Sequence, residues 1–411
     1  MDLRFSAADE AFRDEARAWL RVALAGPFAH VAGRGGPGDE EGAIAERRAW
    51  EKHLADAGWA CVSWPKEHGG RAATLMQEVL FHEEYARADG PGRLGHIGET
   101  LLGPTLIAMG TPAQKSRFLP AIREGRELWC QGYSEPGAGS DLANVQCRAE
   151  LRGGKWVLNG QKLWTSLAEW SDWCFVLCRT DREAPRHQGI SYLLVPMRQP
   201  GVTIRPIAQI TGSSEFAEVF FEGAETDAEN IVGPVNGGWK VAMATLAFER
   251  GASTLGQQLA FSSELDAVIA AARQSGAITD PVMRQRLATA WAGLKIMRLN
   301  ALRTLSGHQS GELSRAASIT KLYWANWHRE LGRLAVDVMG ALGEVTGNVE
   351  RGPGSRVATR DATSGVADAY PLSRLQRLFL WTRCDTIYAG SNQIQREIIG
   401  ERALGLPREK R

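Results

Sequence analysis

Apolar residues recur with a helical period through the first 125 residues of the chain. Phe12, Ala16 and Leu20 share one face of a helix that begins near Ser6. A glycine-rich loop at residues 33–42 separates this helix from three more. The second helix ends at Gly58, the third spans residues 74–89, and the fourth begins at Thr111-Pro112 and ends at Gly125. The pattern predicts a helical N-terminal domain at residues 1–125.

The period of the pattern falls to two between residues 129 and 232. Asn159-Gly160 lies between two short alternating segments, and this dipeptide is the strongest local signal of a β-hairpin. Three other segments are predicted to be strands: Ile190–Val195, Val202–Ile207 and Phe216–Phe221. Short strands with turns between them predict a middle domain at residues 126–232, built as a small β-barrel or sandwich.

Helical patterns return from Gly238 onward. The predicted helices span residues 239–272, 281–306, 314–342 and 372–404. Residues 343–369 contain no Leu, Ile, Phe or Trp, and we interpret this long segment as a functional or interface loop. The predicted fold class is therefore α+β with three domains, in which a C-terminal α-helical bundle at residues 233–411 follows the β-domain.

Composition excludes several classes of protein. The chain has 411 residues, 44% of them hydrophobic and 23% charged, and a formal net charge of +1, so no nucleic-acid surface is indicated. No run approaches the roughly 20 apolar residues of a membrane span, and the N-terminus lacks the pattern of a signal peptide. The six cysteines form no Cys-x-x-Cys pair, which predicts reduced thiols and a cytoplasmic location.

The sequence lacks several common phosphate and metal motifs. It contains no GxxxxGK phosphate loop, and no GxGxxG segment follows a predicted strand. His82-Glu83-Glu84 has no second histidine four residues on, so no zinc helix forms there. The eight histidines are scattered, and we expect each to be a surface or core residue rather than a ligand. We therefore predict no metal site.

Two polar stretches in the β-domain are candidates for ligand binding. The segment Trp129–Leu142 contains SEPGAGSD at Ser134–Asp141, whose proline and glycines exclude regular structure and can hold backbone N–H groups around a polar ligand. An ordinary surface turn is the alternative. The segment Gly160–Ser166 carries Trp164 beside two hydroxyl side chains, which suits the edge of an aromatic cofactor. A strand that alternates between core and surface is the alternative there.

Two helical stretches carry further candidate chemistry. Glu249 and Arg250 are the only charged residues within residues 241–263. If this helix face is buried, desolvation raises the pKa of the Glu249 carboxyl and makes it a stronger base, whereas on the solvent face it has no such role. In Thr386–Gly400 a Gly-Ser-Asn turn opens a helix, whose first N–H groups either bind a ligand oxygen or are capped by the serine or the asparagine.

These four stretches follow one another in the order and spacing of the acyl-CoA dehydrogenase family, which the chain resembles over nearly its whole length. The family's first flavin loop resembles WCQGYSEPGAGSDL, its second flavin segment resembles GQKLWTS, and its C-terminal signature resembles TIYAGSNQIQREIIGERALGLP. The family fold has the three domains predicted above and binds FAD between the β-domain and the C-terminal helices. The resemblance implies α,β-dehydrogenation of an acyl-CoA thioester, with electrons passed to electron-transferring flavoprotein.

The resemblance also implies which residues contact the cofactor and the substrate. Trp164 would pack on the flavin ring, Ser166 would hydrogen-bond near flavin N5, and Ser140 would lie near the pyrophosphate or the CoA chain. The implied FAD contacts are Gln131, Tyr133, Ser134, Gly139, Ser140, Trp164, Ser166, Arg273, Ser391 and Gln393. The implied substrate contacts are Ser140, Arg250, Tyr388, Ala389 and Gly390.

One departure from the family pattern concerns the catalytic base. Ala389 stands where many members carry a catalytic glutamate, although its N–H would still polarise the thioester carbonyl together with a flavin hydroxyl. Some members place the glutamate on the first helix of the C-terminal domain, just before an arginine, and Glu249-Arg250 matches that arrangement. We therefore predict that Glu249 removes the α-proton while the β-hydrogen leaves as a hydride to flavin N5.

Two further departures concern the far end of the cofactor. Of the family's Arg-x-x-Phe-Gly sequence the chain keeps only Arg273, and Asp337 stands where a glutamine is usual. Such losses are familiar in members that pair with a different, related subunit. The chain is predicted to act either as a homodimer or homotetramer, or in a heterotetramer whose related subunit completes the FAD site.

Other activities found among relatives are an acyl-CoA oxidase, a monooxygenase and a DNA-binding function. Glu249 argues against a monooxygenase, which needs no such base, and the near-neutral charge argues against DNA binding. The oxidase stays open. A base on this helix is associated in the family with branched, long or bulky acyl groups, so we expect a bulky acyl chain such as a steroid side chain.

Overall fold

The computed structural model describes residues 5–36, 39, 41–249, 252–308, 315–345 and 372–407, and the side chains of these residues except those of 249–259 and 305–316. The chain forms two compact units. The first contains Phe5–Gln209 and Ser214–Gly256, and the second contains Ile210–Ser213 and the chain from Gln257 onward. The first unit thus includes the N-terminal helices and the strands of the β-domain, and the second includes most of the C-terminal helices.

The N-terminal part of the first unit is helical, as predicted. Its α-helices are α1 (Ala7–Ala25), α2 (Ile44–Asp56), α3 (Leu75–Arg87), α4 (Gly103–Met109) and α5 (Pro112–Arg123). The predicted starts of α1, α3 and α5 are confirmed, because the side chains of Ser6, Thr74 and Thr111 each accept a hydrogen bond from the backbone N–H three residues on. Helix α4 and the π-helical turn Gly98–Leu102 before it were not predicted, and neither has a side-chain cap.

Large aromatic side chains fill the core of this helical part. Trp50, Trp59, Trp64 and Phe81 are buried. The rings of Trp59 and Phe81 stack with their centroids 5.5 Å apart and an interplanar angle of 3°. Replacing a ring of this size by alanine typically costs about 3–5 kcal/mol. These tryptophans therefore serve packing, and they differ from Trp164 on the sheet, which is 55% exposed.

The middle of the chain forms one eight-stranded sheet, which confirms the predicted β-domain. The strands are β1 (Trp129–Gly132), β2 (Arg148–Arg152), β3 (Lys155–Ser166), β4 (Trp173–Arg179), β5 (Ile190–Pro196), β6 (Val202–Pro206), β7 (Phe216–Asp227) and β8 (Ile231–Val232). Their order is β6-β7-β3-β2-β4-β5-β8, and β1 pairs in parallel with β4. Because β1 lies beside β4, the SEPGAGSD loop (Ser134–Asp141) begins next to the buried centre of the sheet.

The prediction of a β-hairpin at Asn159-Gly160 is wrong. Residues 155–166 form the continuous strand β3, and Gly153 and Gly154 make the turn from β2 instead, both with left-handed backbone. Gly160 has φ +154°, and a Cβ there would lie 2.6 Å from the Cα of Cys147. The glycine is thus needed for a close backbone approach within the sheet rather than for a turn.

The C-terminal part of the chain is helical, as predicted. Its α-helices are α6 (Gly238–Glu249), α7 (Ala252–Gln274), α8 (Pro281–His308), α9 (Thr320–Asp337), α10 (Arg374–Trp381) and α11 (Asn392–Ile398). The single helix predicted at residues 239–272 is described as α6 and α7, and residues 250 and 251 lie outside the described residues. Within the described ranges, no helix has both the length and the apolar composition needed to cross a membrane.

The single helix predicted at residues 372–404 is wrong. A short 3-10 helix at Cys384–Thr386 follows α10, and the next residues turn through Ala389 and Gly390, which both have left-handed backbone. The turn separates α10 from α11 and places polar backbone groups between them. Residues 346–371, most of the loop predicted at 343–369, lie outside the described residues.

Candidate active site

The SEPGAGSD loop is anchored by Glu135, which is buried. One oxygen of this carboxylate accepts hydrogen bonds from the backbone N–H of Cys147 at 3.0 Å and from Nζ of Lys162 at 2.6 Å. The other oxygen accepts from the N–H of Gln146 at 2.6 Å. Multiple donors of this kind stabilise a buried carboxylate. The glutamate therefore fixes the base of the loop to the residues that precede β2.

Lys162 makes the same connection from the opposite side. Its side chain is completely buried on β3, and Nζ also donates to the carbonyl oxygens of Tyr133 at 3.2 Å and Leu177 at 2.7 Å. This pair with Glu135 was not predicted. The burial of Lys162 could have been predicted from the alternation of side chains along β3, because Lys162 faces the same side as the buried Trp156 and Leu158.

The rest of the loop is shaped by backbone hydrogen bonds. The N–H of Leu163 donates to the carbonyl of Ser134 at 2.9 Å, and Glu135 and Ala138 exchange two backbone hydrogen bonds of 3.0 Å. Gly139 and Ser140 lie beyond this narrow turn and are exposed. The loop is thus rigid at its base and offers a serine hydroxyl and backbone groups at its tip.

Trp164 is held in an unusual conformation at the end of β3. The ladder between β3 and β7 shifts register between Lys162 and Thr165, and Trp164 has φ +61°. Left-handed backbone at a bulky residue is strained, and bulges that re-aim side chains are common next to binding sites. The indole is 55% exposed and meets Phe216 edge-on, with ring centroids 6.1 Å apart. The bulge therefore presents a large ring that the core does not cover.

Two polar side chains, one on β1 and one directly after Trp164 on β3, carry buried atoms that fit a bound ligand. Nε2 of Gln131 and Oγ1 of Thr165 are buried, and neither has a hydrogen-bond partner among the described residues. Native proteins rarely leave such groups unsatisfied. Tyr133 is buried with its ring against Phe175 and Tyr192, and Ser166 is half-buried at the end of β3. The arrangement fits a flat heterocycle with polar edges.

Helix α6 is fixed to its neighbours by buried hydroxyl groups. Oγ1 of Thr245 lies 2.9 Å from Oγ1 of Thr105 on α4 and 3.5 Å from the Tyr192 hydroxyl on β5. Glu249, the predicted base, is the last residue of α6, one helical turn after Thr245. The side chain of Glu249 and the whole of Arg250 lie outside the described residues, so both assignments stay predictions.

The second unit contains the Tyr388–Gly390 turn. Ala389 has φ +51° and Gly390 φ +84°. Nε2 of the buried Gln395 donates to the carbonyl oxygens of Ala389 at 3.3 Å and Gly390 at 3.4 Å. Ala389 is exposed, and its backbone N–H has no acceptor among the described residues. The turn therefore offers a free peptide donor at a fixed position.

A buried histidine network lies next to this turn. Nδ1 of His328 on α9 is 2.7 Å from Oδ2 of Asp385, and its Nε2 is 2.7 Å from Oε2 of Glu264 on α7. The other oxygen of Asp385 accepts from the Tyr388 hydroxyl at 2.8 Å. Burial by itself lowers the pKa of His328, but the hydrogen bonds and charges of the two carboxylates outweigh it and raise this pKa to about 9.

The remaining predicted contacts in the second unit lie at helix ends. Ser391 caps α11 by accepting from the N–H of Ile394 at 3.4 Å, and Gln393 is exposed in the first turn of that helix. Arg273 is exposed in the last turn of α7. The capping interpretation of Ser391 is confirmed, and the cofactor roles of all three residues stay predictions. Asp337 forms an exposed ion pair with Arg286.

Comparison with known proteins identifies the family. The family models of the acyl-CoA dehydrogenase N-terminal, middle and C-terminal domains match residues 6–126, 130–224 and 236–404. The chain belongs to the acyl-CoA dehydrogenase family, which confirms the resemblance seen in the sequence and the enzyme class that it implied.

Relatives from mycobacteria match almost the entire chain. The acyl-CoA dehydrogenase IpdE1 of Mycobacterium tuberculosis is 56% identical over 97% of this chain and 98% of its own length. The IpdE1 protein of Mycolicibacterium smegmatis is 52% identical over the same shares. Among solved structures, the Tcur3481-Tcur3483 steroid ACAD has a TM-score of 0.82 and 31% identity, and covers all of both chains. The ChsE4-ChsE5 complex from Mycobacterium tuberculosis has a TM-score of 0.78 and 28% identity, also over the full length of both chains.

Proposed function

We propose that this chain catalyses the FAD-dependent α,β-dehydrogenation of an acyl-CoA thioester to the trans-2-enoyl-CoA, with electrons passed to electron-transferring flavoprotein. The observation that carries the proposal is the wall formed by β1 and the end of β3. There Trp164 is exposed and has left-handed backbone, and buried polar atoms of Gln131 and Thr165 have no partner among the described residues. Members of this family generally bind FAD, and a flavin ring has the shape and the polar edges that this wall requires.

The proposed cofactor contacts follow from this geometry and from the family resemblance. Trp164 covers one face of the flavin ring, and Gln131, Ser134 and Ser166 bind its polar edge. The exposed tip of the SEPGAGSD loop, with Gly139 and Ser140, binds the pyrophosphate or the CoA chain. Ser391 and Gln393 would contact the adenosine half of FAD, and Arg273 would reach the FAD of a neighbouring subunit.

The chemistry divides between a base and an electrophile. The α-proton of a thioester is only weakly acidic, so its removal requires a polarised carbonyl. We assign that role to the N–H of Ala389, which has no acceptor among the described residues and is held in place by its left-handed backbone. Glu249 removes the α-proton. Bound FAD supplies the acceptor for the β-hydride.

The substrate and the assembly are proposed from the relatives. The Tcur3481-Tcur3483 structure is named a steroid ACAD. Its name and that of the ChsE4-ChsE5 complex each give two components. We propose that the acyl group is bulky and steroid-derived, and that this chain assembles with a related subunit that completes the FAD site. The six cysteines of the chain are free thiols, which supports a reducing, cytoplasmic location.

An anaerobic titration tests the activity and the substrate together. The FAD-loaded complex of this chain with its co-expressed related subunit is titrated with straight-chain, branched and steroid-side-chain acyl-CoAs while the flavin absorbance is followed. We expect bleaching at the lowest concentration with the steroid-derived thioester. Bleaching by straight-chain acyl-CoAs alone contradicts the substrate proposal, and no bleaching by any thioester contradicts the dehydrogenase activity.

The flavin content separates the two assemblies. The chain is purified alone and together with a co-expressed related subunit, and FAD is measured per chain. We expect well under one FAD per chain when this chain is alone. A full complement of FAD in the chain alone contradicts the heteromer and supports the homo-oligomer.

A further inference from the structure

We propose that His328 is a positioning residue for the substrate carbonyl: it holds Asp385, and Asp385 holds the Tyr388–Gly390 turn that carries the Ala389 N–H. The proposal rests on the proposed function, because it assumes that this N–H polarises the thioester. It assigns a role to a buried network in which His328 acts on the turn only through Asp385 and Tyr388.

The imidazole of His328 is ionised in this network. His328 is 4% exposed, and both of its ring nitrogens lie 2.7 Å from a carboxylate oxygen. A carboxylate accepts hydrogen bonds but does not donate them, so both nitrogens donate only when the imidazole is an imidazolium. Charge-assisted hydrogen bonds of this kind are about twice as strong as neutral ones. The side chain of Asp385 is thereby fixed by a strong donor.

Asp385 contacts the turn through the side chain of Tyr388. Asp385 is buried, and the oxygen that does not face His328 accepts the Tyr388 hydroxyl at 2.8 Å. Nζ of Lys321 donates to the Asp385 carbonyl and lies 5.4 Å from the centre of the Tyr388 ring. The tyrosine is therefore held at its hydroxyl and at its ring, directly before Ala389.

The Tyr388–Gly390 turn needs the support of this hydrogen bond between Tyr388 and Asp385. Ala389 is a non-glycine residue in left-handed backbone, which persists only where neighbouring contacts hold it. Gln395 holds the carbonyl side of Ala389 and Gly390. The hydrogen bond from Tyr388 to Asp385 holds the side that precedes the Ala389 N–H. Loss of the imidazolium leaves Gln395 in place and frees only the second support.

Several charged groups surround His328 and set how its charge responds to pH. Glu264 faces it from α7 and Asp385 from the 3-10 helix that follows α10. Tyr388 and Lys321 contact Asp385. The charge of Arg383 also interacts with the Asp385 carboxylate. Two carboxylates against one imidazolium favour its charged form, so the turn is supported at neutral pH and loses this support in alkali.

The decisive experiment replaces His328 by glutamine, with His82→Gln as a matched control. His82 lies on α3 in the other unit. Amide hydrogen exchange is measured by mass spectrometry on the protein without added ligand. Exchange in residues 385–391 is expected to rise about tenfold in H328Q, because a hydrogen bond to a charged group is lost, and to stay unchanged in H82Q.

The second readout is the rate of flavin reduction in the FAD-loaded enzyme. At saturating acyl-CoA we expect this rate to fall roughly tenfold in H328Q while KM stays within about twofold, because polarisation acts in the transition state. In the wild type the rate should fall as the pH rises through about 9, and H328Q should lack this step.

Unchanged exchange in residues 385–391 overturns the proposal, and so does a rate loss that only follows lost FAD. If H328Q does not fold, Tyr388→Phe removes the outer hydrogen bond alone, and it must raise the same exchange. If no acyl-CoA reduces the flavin of the wild type, the proposed function is contradicted. The exchange experiment then still decides whether His328 positions the turn.

Discussion

The SEPGAGSD loop of the first unit and the Tyr388–Gly390 turn of the second are both backed by a buried ion pair, but the two pairs differ in kind. Glu135 pairs with Lys162, and the carboxylate also accepts two backbone N–H groups. Asp385 pairs with His328, which is shared with a second carboxylate. One loop is tied to the main chain of a sheet, and the other to a titratable side chain between helices.

The difference teaches how each loop responds to its surroundings. The two carboxylate partners of His328 raise its pKa to about 9. The cofactor loop is instead held by two backbone N–H groups that donate to Glu135. The turn that we assign to the substrate carbonyl is expected to loosen in mild alkali. The three predictions that follow test this contrast.

The largest expected effect comes from Lys162→Met. The substitution leaves Glu135 as a buried carboxylate without its cation, which typically costs about 3–5 kcal/mol. We expect the Tm, followed by circular dichroism, to fall by about 5 °C. The double variant with Glu135→Gln should recover much of the loss, because it leaves no isolated charge. A Tm of the single variant equal to that of the wild type contradicts the anchoring role of the pair.

The second prediction concerns the pH dependence of stability. The pKa of His328 in the folded chain, about 9, lies above the ordinary histidine value of about 6.5. Its contribution is therefore fully present below pH 6.5 and is lost as the pH rises through 9, by up to roughly 3 kcal/mol. Thermal unfolding between pH 6 and 10 measures it. H328Q should be less stable than the wild type at pH 6 and converge toward it at pH 10; a difference that does not change with pH contradicts the account.

The smallest expected effect belongs to Trp164→Leu. The indole is mostly exposed, so the substitution should leave the Tm unchanged, while the loss of ring contact should raise the Kd for FAD about tenfold. Trp291 on α8 is 53% exposed and provides the matched control, since Trp291→Leu should alter neither quantity. Titration with FAD of the flavin-free complex of this chain and its related subunit distinguishes the outcomes. Equal Kd values for W164L and the wild type contradict the proposal that Trp164 packs on the flavin ring.

Local signals in the sequence predicted much of the fold. The starts of α1, α3 and α5 depend on a side chain and a backbone N–H three residues apart, so Ser6, Thr74 and Thr111 revealed them. The strand β4 was missed because its central residues are all buried and show no alternation. Asn159-Gly160 misled because its glycine meets the distant Cys147, and no local pattern records that contact.

Only part of the candidate site could be predicted, because the contacts that hold its two loops join residues far apart in the sequence. The resemblance to the family directed attention to the two loops, but not to what holds them. Glu135 and Lys162 are 27 residues apart, and His328 is 57 residues from Asp385 and 64 from Glu264. A scattered histidine carries no local sign of two carboxylate partners, so the expectation that His328 is an ordinary core or surface residue did not anticipate its ionised network.

The central claim is that Glu249 is the base of an FAD-dependent acyl-CoA dehydrogenation, and one measurement tests it most directly. Glu249→Gln and the wild type, both loaded with FAD, are mixed rapidly and without oxygen with the acyl-CoA that bleaches the wild type best. Asp266→Asn, an exposed carboxylate on α7, serves as the control. The account predicts rapid bleaching in the wild type and in the control, and full FAD binding without bleaching in E249Q. Rapid bleaching of E249Q would contradict it.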